Sequence, residues 1–384
     1  VGEEQLLREL TPQVIGVLVR RGADFASAED AVQEALIAAW SSWPDDPPRD
    51  PKAWLVTTAW RKFIDLTRAE SSRAARQTTF DLEPPQGPTE HSDDALSLYF
   101  YCAHPSLSPS AAVALTLRAV GGLTTKQIAQ AYLVPEATMA QRITRAKRAL
   151  VDVPLNSPGD LPTVLRTLYL VFNEGYTGDV DLSAEAIRLT RQIAALTDHP
   201  ETHGLLALML LHHARRAART DATGALVTLP DQDRTLWDTN LIAEGVRILQ
   251  AALDRDRLGE YQAQAAIAAL HADATSHDET DWVQIVEWYD EVLELTDNPV
   301  VRLNRAVAVG EADGAHAGLA ALADVPTEVP RHTAVAAYLH EKAGHLPTAA
   351  TLFSAAAREA SSQSERDHLT RQAARLGPRL TRPT

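Results

Sequence analysis

The sequence predicts an all-α protein made of three helical parts. Three observations carry this. Residues 1–76 hold helix-period apolar stripes, residues 124–150 read as two short helices joined by a tight turn, and from about residue 153 the chain becomes Ala- and Leu-rich with helical spacing. A length of 384 residues with 45% hydrophobic content gives two or three domains with a sizeable core.

In chain order, Ser27 and Asp30 have the spacing of a capping pair, and a helix follows to about Ser42. Val32, Ala35, Leu36, Ala39 and Trp43 form its apolar stripe, while Asp30, Gln33, Glu34 and Ile37 share another face. An exposed Ile beside acids suits a protein partner. The turn WPDDPPRDP ends this helix. The next starts near Pro51 and carries Arg61, Asp65 and Arg68 on one face, at i, i+4 and i+7. Residues 77–98 read as an acidic, Pro-containing linker. Two supporting helices follow, and Gly121-Gly122 fits the exit from the second. Thr124 with Gln127 has capping-box spacing. Leu133-Val134-Pro135 stops that helix, and Pro135 suits the first position of the next.

On this last helix Met139, Ile143, Ala146 and Leu150 recur at steps of 4, 3 and 4, so they form the buried side. Thr138, Gln141, Arg142, Arg145 and Arg148 fall on the opposite side. Hydroxyl, amide and guanidinium groups backed by an apolar stripe are the outline of a DNA recognition helix. Beyond residue 153, AYLHEKAGHLPTAATLFSAAAREA (337–360) looks like a tetratricopeptide hairpin, with Ala337, Gly344, Ala349, Phe353 and Ala357 at its packing positions. Trp282, Tyr289 and Ala306 mark a looser second example. An α-solenoid or irregular helical bundle over 153–384 is expected.

The net charge of −15 hides a pattern that bears on partners. Residues 51–76 and 106–152 are each net +4, whereas 1–50 are −6, 77–105 are −5 and 153–384 are −12. Two compact basic patches in an acidic chain are what a phosphate backbone meets. One cysteine, Cys102, excludes an internal disulfide and fits the reducing cytoplasm. No apolar run has membrane-spanning length, and the acidic start lacks the layout of a signal peptide. No P-loop, G-x-S-x-G or Gly-rich dinucleotide turn is present, so neither an enzyme nor a cofactor is expected. His199, His203, His212, His213 and His271 lack metal-site spacing and are read as surface or core histidines, with no metal expected. His212, His213, Arg215, Arg216 and Arg219, with Asp231-Gln232-Asp233, are either a polar ligand site or, as favoured here, an internal ion-pair network.

SAEDAVQEALIAAW, PKAWLVTTAWRKFIDLTRAE, the acidic linker and GLTTKQIAQAYLVPEATMAQRITRAKRAL together resemble a bacterial sigma factor of the extracytoplasmic-function class. LYLVFNEGY, EAIRLTRQIA, LALMLLHHARRAAR and LPDQDRTLWD extend the resemblance to the subgroup with a C-terminal tetratricopeptide-like extension. The resemblance implies a region-two domain at 1–76, the linker at 77–98, a region-four domain at 99–152 and a regulatory helical domain at 153–384. It implies that Asp30, Gln33, Glu34 and Ile37 dock on core RNA polymerase. Trp54, Arg61, Lys62, Asp65 and Arg68 would read the −10 element of promoter DNA, and Thr138, Gln141, Arg142, Arg145 and Arg148 the −35 element. The extension would have a protein or peptide partner. Two places depart from the pattern: Trp60 with Leu66-Thr67 where polar residues are common, and Tyr132-Leu133 where Leu-Gly is often found. The alternative is a conventional helix-turn-helix regulator with a helical sensor domain, binding duplex DNA without polymerase.

Overall fold

The computed structural model describes residues 3–44, 46–71, 93–153, 160–175 and 181–377. Among them the chain is all-α and divides into two compact units, residues 1–198 and 199–384. The expected linker lies mostly outside the described residues.

The first unit opens with α1 (Glu3–Arg20), α2 (Phe25–Ser42) and α3 (Pro51–Ser71). Helices α2 and α3 pack along each other, and α1 crosses both. The expected cap of α2 is corrected. Asp24, not Ser27, caps the helix, its carboxylate accepting the Ser27 amide at 2.9 Å. Ser27 already lies inside the first turn, because Asp24 is three residues upstream and free to take extended geometry. The apolar stripe is buried as expected at Val32, Ala35, Ala39 and Trp43.

Next comes α4 (Asp93–Cys102), so residues 93–98 of the expected linker are helical. The reason is a stripe at i, i+3, i+4 and i+7: Ala95, Leu98, Tyr99 and Cys102, all buried. Then follow α5 (Pro109–Ala119), α6 (Thr125–Ala131) and α7 (Glu136–Ala149). The Thr124–Gln127 capping box forms in both directions: Thr124 Oγ1 accepts the Gln127 amide at 3.1 Å, and Gln127 Oε1 accepts the Thr124 amide at 2.8 Å. Pro135 sits one position earlier than expected, as the N-cap residue of α7. Leu133 turns the chain between α6 and α7 in a left-handed conformation, φ +50°, which usually favours glycine.

Helices α8 (Leu161–Asn173) and α9 (Leu182–Thr197) complete the first unit by packing on α4 and α5. The Tyr99 hydroxyl donates to the Leu189 carbonyl at 3.0 Å, with Tyr99 fully enclosed. The composition changes near residue 153, but the contact boundary falls between Asp198 and His199.

The second unit runs through α10 (Pro200–Ala214), α11 (Thr239–Leu253), α12 (Glu260–Asp273), α13 (Trp282–Thr296), α14 (Pro299–Ala312), α15 (Ala315–Leu322), α16 (His332–Lys342), α17 (Leu346–Glu359) and α18 (Gln363–Leu376). From α13 onward each helix packs chiefly on its neighbours in sequence, whereas α12 packs chiefly on α10. Ala337, Ala349, Phe353 and Ala357 are buried together, and Gly344 makes the α16–α17 turn at φ +79°. Helices α14 and α15 touch through Gly310 and Gly318. A Cβ on Gly318 would lie 2.7 Å from the Gly310 Cα, so only glycine permits this approach.

The capping assignment has a direct test. Asp24→Ala should destabilise the protein by about 1 kcal/mol, whereas Ser27→Ala should change it little. Chemical denaturation of the two variants beside the parent measures the difference.

Candidate polymerase and promoter interfaces

Helix α2 presents the proposed docking residues on one side. Asp30 and Glu34 are exposed, Gln33 is half-buried, and Ile37 is 63% exposed. Trp40, one turn beyond Ile37, is 59% exposed, and Leu66 on α3 is exposed beside them. Sequence reasoning missed Trp40 because it falls next to the buried stripe and reads as core. Its signal was the i, i+3 spacing from Ile37. Asp30, Gln33, Glu34, Ile37, Lys62, Asp65 and Leu66, with Arg118 and Thr124, line a cleft of about 570 Å³. Large exposed apolar side chains rimmed by charge mark a protein-binding surface.

On α3, Arg61, Asp65 and Arg68 are exposed along one face. Lys62 leans toward Glu34, at 4.0 Å. Trp54 is half-buried and meets the edge of Trp43, ring centres 5.6 Å apart. Trp60 is buried against Phe63, which accounts for an aromatic residue where a polar one is common.

On α7 the two sides separate as the spacing demands. Met139, Ile143, Ala146 and Leu150 are buried. Thr138, Gln141, Arg145 and Arg148 are exposed, and Arg142 is half-buried. The Tyr101 hydroxyl donates to the Leu150 carbonyl at 2.7 Å, anchoring the end of the helix on α4. The remaining basic residue of α7, Lys147, does something different. Its ammonium is 2.6 Å from Glu29 Oε2 and 3.0 Å from Asp30 Oδ1. Arg118 Nε from α5 lies 2.8 Å from Glu29 Oε1, and Glu29 is fully buried. Burial alone would lower the Lys147 ammonium, but the Glu29 and Asp30 carboxylates more than reverse that and hold it above its usual value.

In the second unit Arg215 and Arg219 act on His212, while Asp231, Gln232 and Asp233 serve their own loop. Asp231 accepts the Thr228 hydroxyl at 2.6 Å, and Asp233 caps its own short turn through Thr235. Gln232 donates to the Val227 carbonyl. A separate cleft of about 740 Å³ is lined by Trp282, Tyr289, Tyr338 and Phe353, and it contains Glu311. That carboxylate takes the Tyr338 hydroxyl and sits 2.6 Å from Lys342 Nζ. Spacing marked Trp282, Tyr289 and Phe353 as packing positions but not as one cleft, since its walls come from helices far apart in the chain. Among the described residues no group of three or more His, Cys, Asp or Glu is placed to hold a metal ion. Among the described residues no helix is long and apolar enough to cross a membrane.

Comparison with known proteins now completes the assignment. Residues 6–73 match the model of sigma-70 region 2, and 97–150 match that of sigma-70 region 4. Residues 160–253 match a family of unknown function, DUF6596. An uncharacterized protein of Rhizobium meliloti strain 1021 is 43% identical over 336 residues, covering 80% of this chain and 79% of that one. The ECF RNA polymerase sigma factor SigL of Mycobacterium tuberculosis is 32% identical over 157 residues, 38% of this chain and 88% of that protein. SigJ of the same species is 28% identical over 169 residues, 42% of this chain and 53% of its own length. The chain belongs to the extracytoplasmic-function sigma factors of the sigma-70 family, which direct transcription initiation and are not enzymes. It carries a C-terminal helical extension that includes the DUF6596 segment.

Two half-buried histidines give the second unit a pH dependence. Desolvation, then Arg215, Arg234 and His277, push His271 down to about 4, and desolvation with Arg215 and Arg219 holds His212 well below its usual value. Both are neutral when folded, while the unfolded chain takes up protons below about 6.5. Their stabilisation is therefore complete above that pH and is lost as pH falls from 6.5 toward 4. Thermal unfolding of the full chain should show a lower midpoint at pH 5 than at pH 7, and His271→Phe should shrink the difference.

Proposed function

We propose that this sigma factor docks on core RNA polymerase through α2 and contacts a two-part promoter through α3 and α7. Asp30, Gln33, Glu34 and Ile37 are the docking set, extended by Trp40. Acidic and amide groups around an apolar centre suit a basic partner surface. Arg61, Lys62, Asp65 and Arg68, with Trp54 at the edge of the helix packing, are assigned to the melted −10 strand, which needs cations for phosphate and aromatic faces for unstacked bases. The observation that carries the promoter assignment is the two-sided character of α7. Its exposed side holds Thr138, Gln141, Arg145 and Arg148, with Arg142 beside them. Arg and Gln can reach guanine and adenine edges bidentately, and the outer arginines can also hold phosphates.

The functional parts are taken as residues 1–76, 77–98, 99–152 and 153–384. The extension is assigned a tetratricopeptide-like, regulatory role in the cytoplasm, with a protein or peptide partner. Sequential packing of α13–α18 and the small-residue contacts at Ala337, Ala349 and Gly310 support an α-solenoid. The 740 Å³ cleft with aromatic walls offers that partner a concave surface.

Reconstitution with purified core polymerase tests the whole assignment. A stable complex should initiate from a defined subset of promoter fragments. Specific duplex binding by the chain alone, with no polymerase complex, would favour a conventional helix-turn-helix regulator instead. Asp30→Arg combined with Glu34→Arg should weaken the polymerase complex while circular dichroism remains that of the parent. Arg142→Ala should relax base preference at one −35 position, by roughly 1–3 kcal/mol for a bidentate contact. A uniform loss across promoter sequences would make Arg142 a phosphate contact.

A further inference from the structure

One end of the acidic face of α2 is already engaged by the chain's own region-four helices. Glu29 is 0% exposed and receives Arg118 from α5 at 2.8 Å and Lys147 from α7 at 2.6 Å. Lys147 also reaches Asp30, the first residue of the docking set, at 3.0 Å. Arg118 and Thr124 form one wall of the cleft whose other wall is Asp30, Gln33, Glu34 and Ile37. A second cleft, of about 490 Å³, lies between Gln33, Ile37 and Trp40 on one side and Gly122, Thr124 and Gln127 on the other.

The start of the extension fastens the same arrangement from a different side. Glu185 on α9 stands 3.8 Å from Arg8 of α1, while Arg188 holds Glu185 at 2.6 Å and donates to the Gly121 carbonyl at 3.4 Å. One helix of the DUF6596 segment therefore touches both the region-two and the region-four parts. Lys147 already takes one oxygen of Asp30, and Glu29 is closed off entirely.

We propose that Lys147 and Arg118 act as an internal stand-in for the polymerase, holding a closed form in which region four stands against the Asp30 end of the α2 docking face. This rests on the assignment of that face to core polymerase. Binding then exchanges the Glu29–Asp30–Lys147–Arg118 contacts for the partner's own basic groups and frees α7 to move to upstream DNA. A buried ion cluster suits such a contact. The cost of desolvating the charges offsets most of their attraction, so the closure is specific in geometry yet small in net stability. While the closed form dominates, apparent affinity for polymerase is reduced by the fraction of chains that are open.

Zero-length carbodiimide coupling of the full chain tests the contact directly, because it joins only amines and carboxylates already in contact. Mass spectrometry should find Lys147 linked to Asp30 or Glu29 in the free protein. The yield should fall when saturating core polymerase is present and co-elution shows the complex. No such link in the free chain, or an undiminished link in the complex, would overturn the proposal. Absence of any complex would instead overturn the polymerase assignment and this proposal with it.

A second measurement is independent of coupling chemistry. Lys147→Met should raise affinity for core polymerase, measured without DNA, by roughly tenfold if open chains are about a tenth of the population. Lys147→Arg, which keeps the charge, should stay near the parent value. Equal affinities for all three proteins would count against closure, and circular dichroism of each variant establishes that it folds.

Discussion

A carboxylate with no water around it organises the first half of this molecule. Glu29 sits on α2 with its side chain fully enclosed, and an isolated charge there would cost several kcal/mol. The surroundings supply two cations from two other helices, Arg118 on α5 and Lys147 on α7. Each has to be delivered to within 3 Å. The capping box at Thr124 and the Tyr101–Leu150 hydrogen bond fix the ends of the helix-turn-helix unit and so place Lys147. The neighbouring Cys102 thiol is pushed well up, by burial first and by the Glu29 charge second, so it is held protonated in the same packed centre.

The sequence made local facts legible and left non-local ones hidden. The buried side of α7 at Met139, Ile143, Ala146 and Leu150 could be read from spacing alone, because the 3.6-residue period is a property of one helix. The Thr124 capping box was equally local. Asp24 and Ser27 compete for the same helix start, and pattern cannot rank two good caps three residues apart. Glu29 read as one more acid on an acidic helix. Its partner Lys147 is 118 positions away, and nothing in either neighbourhood announces the other. Trp40 and Trp60 show the same limit from the apolar side. Both are Trp in helical stripes, yet one is exposed and the other buried, a difference set by which helix lies opposite.

Composition and packing also divide the chain at different places. The Ala/Leu-rich character begins near residue 153, whereas the two compact units part between Asp198 and His199. The reason is contained in α8 and α9. Their buried faces, Val164, Leu168 and Phe172 on one and Leu182, Leu189 and Ile193 on the other, are apolar in the manner of the extension. They are covered by α4 and α5. A family model that begins at residue 160 thus starts inside the unit that holds the sigma regions. Further along, helix contacts are between sequence neighbours, so small residues such as Ala337 and Ala349 could be recognised as packing positions from sequence.

The same ion cluster changes how the charge of the chain should be counted. Residues 106–152 hold six basic side chains, and the patch sum of +4 treats them alike. Arg118 and Lys147 are engaged with Glu29 and Asp30, leaving Arg142, Arg145 and Arg148 of the side proposed to meet DNA, and Lys126 on α6. Each cation that neutralises a phosphate adds to the steepness with which binding falls with salt. A chain in the arrangement seen here therefore offers DNA a smaller cationic surface than its sequence contains. Release of Lys147 from α2 would uncover carboxylates on one surface and a cation on another. On the proposed closure, polymerase docking and promoter contact would be electrostatically coupled through one side chain, with no charge added to the protein.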